Sequence, residues 1–146
     1  MLETREEYRV SDDPASLDLD LIHAFLREAY WSRGIPRTVM ERAVRHSLCL
    51  GLYRGAEQIG FARVVTDRAT TAYLLDVFVL EPYRGRGLGK WLIGCVMGHP
   101  ELQGLRRWML ASRDAGDLYS SFGFRPLAHP ERFLEITAAS RSSQDA

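Results

Sequence analysis

From Ala72 to Leu80 the chain reads Ala-Tyr-Leu-Leu-Asp-Val-Phe-Val-Leu, with Asp76 as its one charged residue. A short apolar run of this kind is a strand covered on both faces. After Pro82 it leads into Arg84-Gly-Arg-Gly-Leu-Gly-Lys90, and then into a helix from about Gly87 to Met97 that Gly98 and Pro100 stop. A buried strand that feeds a glycine-rich turn and a helix is the part around which the rest of the chain must be arranged.

The flanking sequence supplies the other layers. Tyr8 to Val10 is a short strand, and Asp18 to Tyr30 an amphipathic helix with Leu21, Ile22, Phe25, Leu26 and Ala29 on one face. Trp31-Ser-Arg-Gly-Ile-Pro36 breaks that helix, and Thr38-Val-Met-Glu41 reads as a capping box opening a second. Leu48 to Tyr53 and Gln58 to Val65 flank the turn-like Arg54-Gly-Ala-Glu57 and form a hairpin. Arg107 to Ala111 is a further strand, Asp117 to Phe122 a short helix and Phe133 to Thr137 a last strand. The order β-α-α-β-β-β-α-β-α-β is that of a mixed α/β fold. With 146 residues it forms one domain, residues 1–139, followed by a polar tail over 140–146 that is expected to be disordered.

Charge narrows the partners. Nineteen basic residues offset nineteen acids, so nothing draws the whole molecule to nucleic acid or to an anionic membrane. The balance is nevertheless uneven: residues 1–30 carry eight acids against three arginines, and residues 84–113 six basic groups against Glu101 alone. A concentrated basic stretch on a neutral protein suits a small anion. Cys49 and Cys95 sit in apolar contexts without a CxxC or a histidine at ligand spacing, so they read as buried thiols and no metal site is expected. The N-terminal residues are acidic, and no run reaches the ~18 apolar residues of a membrane span. The expected location is the cytoplasm.

The anion belongs at the glycine turn. The start of a helix leaves backbone N–H groups unpaired and carries positive partial charge. Glycines let that backbone approach phosphate oxygens, and Arg84, Arg86 and Lys90 add charge. Two nucleotide motifs fail here. A phosphate loop of the Walker type needs Ser or Thr after Gly89-Lys90, where Trp91 stands, and Gly at the position of Arg84. The dinucleotide fingerprint begins at Gly85 and Gly87, but its third glycine position holds Lys90.

The pattern that fits is Arg-x-x-Gly-x-Gly, here Arg84, Gly87 and Gly89, within Val79-Leu-Glu-Pro-Tyr-Arg-Gly-Arg-Gly-Leu-Gly89. With it comes Asp114-Ala-Gly-Asp-Leu-Tyr-Ser-Ser-Phe-Gly-Phe124, a Tyr followed by Gly-Phe at a late helix-to-strand turn. In these two motifs, and in element order over about residues 8–137, the chain resembles the Gcn5-related N-acetyltransferase (GNAT) superfamily. The resemblance implies a central mixed, mostly antiparallel twisted sheet flanked by helices. It further implies an enzyme that carries an acetyl group from acetyl-CoA directly to a primary amine of a small molecule or peptide, as a monomer or a homodimer. The backbone amides of Arg84, Gly85, Arg86, Gly87, Leu88, Gly89 and Lys90 would hold the pyrophosphate, and the backbone of Val77 and Val79 the pantetheine arm.

Catalytic roles follow from the same resemblance. Tyr119 takes the position of the tyrosine that protonates the departing thiolate. Where some members carry a Glu, six residues before the position of Val79, this chain has Tyr73. Asp76 is the only acid in the strand. It is open to two readings, a base re-aimed by a β-bulge or a buried carboxylate paired to an arginine, and deprotonation through water stands beside them. The acceptor site of this fold falls near Tyr30, Trp31, Arg33 and Arg37. Aromatics with arginines suit an amine that carries a flat or apolar part. A different class of function, an acyl-CoA-binding sensor or interaction module, would keep the glycine turn without needing Tyr119.

Overall fold

The computed structural model describes residues 2–113 and 116–139. Six strands form one sheet in chain order: β1 (Glu3–Arg5), β2 (Tyr8–Ser11), β3 (Leu48–Arg54), β4 (Glu57–Thr66), β5 (Thr71–Val79) and β6 (Arg107–Leu110). Neighbours are antiparallel except β5 and β6, which run parallel and are joined through the helix α3 (Leu88–Met97). The helices α1 (Leu19–Leu26) and α2 (Arg37–Arg45) lie between β2 and β3, and α4 (Gly116–Ser120) follows β6. The fold is the mixed, mostly antiparallel sheet with helices that the motifs imply. The tail over 140–146 and the start of the second motif, Asp114-Ala115, lie outside the described residues.

Two apolar clusters fill the two faces of the sheet. On one side Leu88, Trp91, Leu92, Cys95 and Val96 of α3 pack on Leu50, Ala62, Val64 and Leu74. On the other, Ile22 and Leu26 of α1 and Met40 of α2 pack on Cys49, Phe61 and Phe78. The central strands are apolar on both faces for this reason, each fully buried Leu, Ile or Phe contributing about 1.5–3 kcal/mol.

Several local expectations change. The capping box is absent: α2 begins at Arg37 behind Pro36, which offers no side-chain acceptor, and Glu41 accepts from Arg37 Nε at 2.7 Å instead. Helix α1 ends at Leu26 rather than Tyr30. The real cap is at its start, where the Asp18 carboxylate accepts from the N–H of Leu21 at 3.0 Å. A further strand, β1, precedes the first expected one and pairs with it as a hairpin that turns through Glu6 in the left-handed region at φ 54°. Phe133–Thr137 is not a strand but irregular chain. A segment with β propensity forms a strand only where a neighbour accepts its backbone bonds, and no described strand does so here.

Candidate active site

Strands β5 and β6 pair only from Thr71↔Arg107 to Leu74↔Leu110. Beyond Leu74 they part, because β5 carries a bulge: Asp76 and Val77 stand opposite the single residue Ala62 of β4, and Asp76 takes φ 54°. The extra residue explains the side-chain faces. Ala72, Leu74, Val77 and Val79 lie with the α3 cluster and Phe78 with the other, while Asp76 is the residue left over.

The bulge also aims the backbone. The Leu80 N–H donates to Ile59 O at 2.8 Å, so Val79 and Gly60 face each other as a non-hydrogen-bonded pair. The N–H and C=O of Val79 therefore point away from β4, to the side where β6 has left off. The carbonyl is taken by Arg84, whose Nε donates to it at 2.8 Å.

At the end of β5 the chain enters the glycine turn. Gly85 and Gly87 adopt φ +80° and +77°, values that a side chain would strain, although open space surrounds both. The glycines are there for conformation and access, not for packing. Gly87 caps α3, and the first bond of the helix runs from Trp91 N–H to Gly87 O at 3.1 Å. The N–H groups of Leu88, Gly89 and Lys90 thus have no partner within the helix. Successive amides curled in this way make an anion-binding concavity. The arginines contribute less directly than their number implies, since Arg84 folds back onto Val79 and Arg86 donates to Tyr8 Oη at 2.9 Å.

Where β5 and β6 part, a cleft of about 280 Å³ opens. Its walls are Leu74, Leu75, Asp76 and Val77 on one side and Leu110, Ala111 and Ser112 on the other. Tyr119 of α4 and the Tyr30-Trp31 pair from the loop after α1 close it. Burial, and after it the nearby Tyr30, pushes the Tyr119 phenol above the ordinary tyrosine value, so Tyr119 keeps its proton at neutral pH. Asp76 is only 11% exposed, and both its oxygens are engaged. Trp31 Nε1 donates to Oδ1 and Arg63 Nε to Oδ2, each at 2.8 Å. Asp76 thereby ties the loop of Trp31 to the bulge.

The residues expected at the site divide into two groups. Asp76, Val77, Tyr119, Tyr30 and Trp31 come together around the cleft, and Val79 with Arg84 to Lys90 continues from it. Tyr73, Arg33 and Arg37 are not part of the cleft wall. Tyr73 sits in register with Val65 and Met109, and Arg37 is paired to Asp20 and Glu41, both at 2.7 Å. Two residues were not anticipated by number. Arg63 is the partner of Asp76, and Arg113 lays its guanidinium 3.8 Å from the ring centre of Tyr30. Arg113 belongs to the basic stretch and lies just beyond Leu110, Ala111 and Ser112 of the cleft wall, which was the signal available for it. Among the described residues no cluster of side chains could hold a metal ion, and no helix is long and apolar enough to cross a membrane.

Known proteins are similar to this chain in sequence and in fold. The family model described as "Acetyltransferase (GNAT) domain" matches residues 45–126. A protein of Gibberella zeae named "Putative acetyltransferase FG08082" is 35% identical over 139 residues, covering 80% of this chain and 77% of its own. A crystal structure from Xanthomonas campestris pv. campestris, described as "a putative acetyltransferase belonging to the gnat family", is 46% identical. It superposes with a TM-score of 0.88 over 91% of this chain and 94% of that one. A structure from Clostridium acetobutylicum, described as a "predicted acetyltransferase with acetyl-CoA", shares the fold at a TM-score of 0.64 and 14% identity, covering 90% and 96%.

Proposed function

The chain belongs to the GNAT acetyltransferase family, and from that premise we propose that it is an N-acetyltransferase. In this reading it carries the acetyl group of acetyl-CoA directly to a primary amine of a small molecule or peptide. The observation that carries the proposal is the continuous path from the glycine turn to the cleft. Unpaired amides at the start of α3, the outward-facing N–H of Val79 and the phenol of Tyr119 lie along the line where β5 and β6 part. The Clostridium structure, which pairs the same fold with acetyl-CoA in its description, supports the choice of donor.

Acetyl-CoA supplies an activated acyl group, a thioester from which a thiolate can leave. The backbone of Arg84 to Lys90 receives its diphosphate, which fits a turn with two left-handed glycines and the open end of a helix. The backbone of Val77 and Val79 positions the pantetheine arm as an added strand would, and the Val79 N–H meets the acetyl carbonyl. Tyr119, held protonated by burial, donates its proton to the sulfur as the new C–N bond forms and the C–S bond breaks. Tyr30 and Trp31 form the wall against which the acceptor lies, 45% and 43% exposed and set edge to face at 5.1 Å. With both oxygens occupied, Asp76 serves as the strut of that wall, and the amine loses its proton through water.

The test is Tyr119→Phe assayed by thiol release with a panel of amines. Loss of a proton donor lowers kcat by about 10²-fold or more while acetyl-CoA still binds with wild-type affinity. Unchanged turnover would remove Tyr119 from the chemistry. A folded wild-type protein that binds acetyl-CoA but acetylates no amine would favour a binding module.

A further inference from the structure

The charge around the cleft constrains what kind of amine enters it. Among the described residues that line it, Asp76 is the one charged side chain, and Trp31 and Arg63 hold both its oxygens. A cleft that drew its amine in as a cation would line up a carboxylate to spare, and among these residues none does so. A cation stands at its mouth instead. Arg113 follows Ser112 of the wall and lays its guanidinium 3.8 Å from the ring centre of Tyr30. Tyr30 and Tyr119 line the same cleft and act on each other electrostatically, so a single ring stands between this cation and the phenol. The N–H donors of a guanidinium radiate in its plane. One that lies over a ring keeps that edge for further partners, and its fork matches the two oxygens of a carboxylate.

The aromatic pair beside Arg113 is held in place from behind. Trp31 is tied to Asp76, and its ring lies 6.3 Å from that of Phe25, which stacks on Phe78 at 3.9 Å. The outer surfaces of Tyr30 and Trp31 nevertheless remain in solvent. Fixed aromatic surface at the mouth of a cleft is a wall for an apolar group.

We propose that the acceptor is an α-amino acid with an apolar or aromatic side chain, and that Arg113 selects it by its carboxylate; this rests on the acetyltransferase reading above. An amino acid carries an anion, an apolar group and an amine on one carbon. The site gathers a cation, an aromatic wall and a proton donor around one ring. The carboxylate lies against Arg113, the side chain against Tyr30 and Trp31, and the amine faces the thioester. The amine nitrogen forms the C–N bond as the C–S bond breaks. Its proton passes to water, the sulfur takes the proton of Tyr119, and solvent returns one to the phenol. The products are an N-acetyl amino acid and free CoA.

Thiol release by the full chain with three acceptors tests this. L-Phenylalanine carries all three groups, phenethylamine lacks only the carboxylate, and O-phosphoethanolamine has an anion without the apolar part. Wild type is expected to use phenylalanine with kcat/KM about tenfold or more above each of the others. In Arg113→Gln, at an exposed position that tolerates the change, KM for phenylalanine rises about tenfold or more, and the preference over phenethylamine narrows to within about threefold. Phenethylamine used as well as phenylalanine overturns the proposal and leaves the acetyltransferase reading standing. Phosphoethanolamine used better than phenylalanine does the same, as does a preference that Arg113→Gln leaves unchanged. A wild type that binds acetyl-CoA but acetylates no amine overturns both. Should the variant fail to fold, the wild-type ratios decide.

Discussion

At Asp76 a left-handed backbone, a buried charge and the wall of the cleft meet in one residue. A φ of 54° costs a residue other than glycine of order 1–2 kcal/mol. Asp tolerates it better than most, and the bonds from Trp31 and Arg63 offset the remainder. Asp76→Asn keeps the shape and removes the charge, leaving the 15%-exposed Arg63 without its counterion. Stability is expected to fall by about 2 kcal/mol, read from urea unfolding. If Asp76 is a strut, KM for the amine rises several-fold while kcat stays within about threefold of wild type. A drop in kcat of about 10²-fold with unchanged KM would make it the base. The sequence singled out Asp76 because it stands alone in an apolar strand. It offered no means of choosing Arg63 as its partner, because that choice depends on the register of β4 against β5 and on where the bulge falls.

Among the elements, those carried by strong local chemistry were legible and those that depend on neighbours were not. The β3–β4 hairpin announces itself by Gly55, which turns at φ +60°, and α3 by the glycines before it and Gly98 after. The first hairpin has a Glu-Glu turn without the Gly or Asn that marks such turns, so β1 left no trace. Phe133–Thr137 has strand chemistry but no strand beside it, which propensity cannot reveal. The close approach of β4 to β5 beyond the bulge rests on a further local requirement, the glycine opposite Val79. A Cβ at Gly60 would sit 2.9 Å from Phe78 O and 3.0 Å from Leu52 Cδ2, both in the packed interior. Gly60→Ala is therefore expected to cost about 1–3 kcal/mol, seen as a lower melting temperature. Because the clash falls on the upper half of β5, acetyl-CoA binding should weaken in the same variant. An alanine tolerated without loss of stability would show that the strand there is looser than described.

Over the central strands both faces of the sheet are buried, and two groups caught there, the Cys49 thiol and the Tyr53 phenol, are held in their neutral forms. Burial pushes Cys49 from 9.0 and Tyr53 from 10.0, each to about 12. Both raised values favour the protonated group in the folded state, while the unfolded chain gives up the proton at the ordinary value. Stability is thus fully present below about pH 9 and falls as pH rises toward 12. The slope is at most about 1.4 kcal/mol per pH unit for each group within its window. Urea midpoints measured from about pH 8 to about pH 11 should be flat at first and then decline; a flat profile throughout would contradict the burial of these groups. The uneven charge along the chain found its meaning only in three dimensions. Of the basic stretch only Arg84, Arg86 and Lys90 belong to the turn, Arg106 and Arg107 lying beside Thr70 and Thr71 at the other end of β5; Arg84 and Arg86 are engaged by Val79 and Tyr8, so we assign the anion to the backbone amides. Calorimetric titration of acetyl-CoA into the wild type and into Gly87→Glu tests that claim most directly. We expect one site per chain, with affinity at least about tenfold weaker in the variant, whose side chain brings a negative charge and a strained φ to the amides. A folded wild type that shows no binding, or binding that Gly87→Glu leaves untouched, would contradict it.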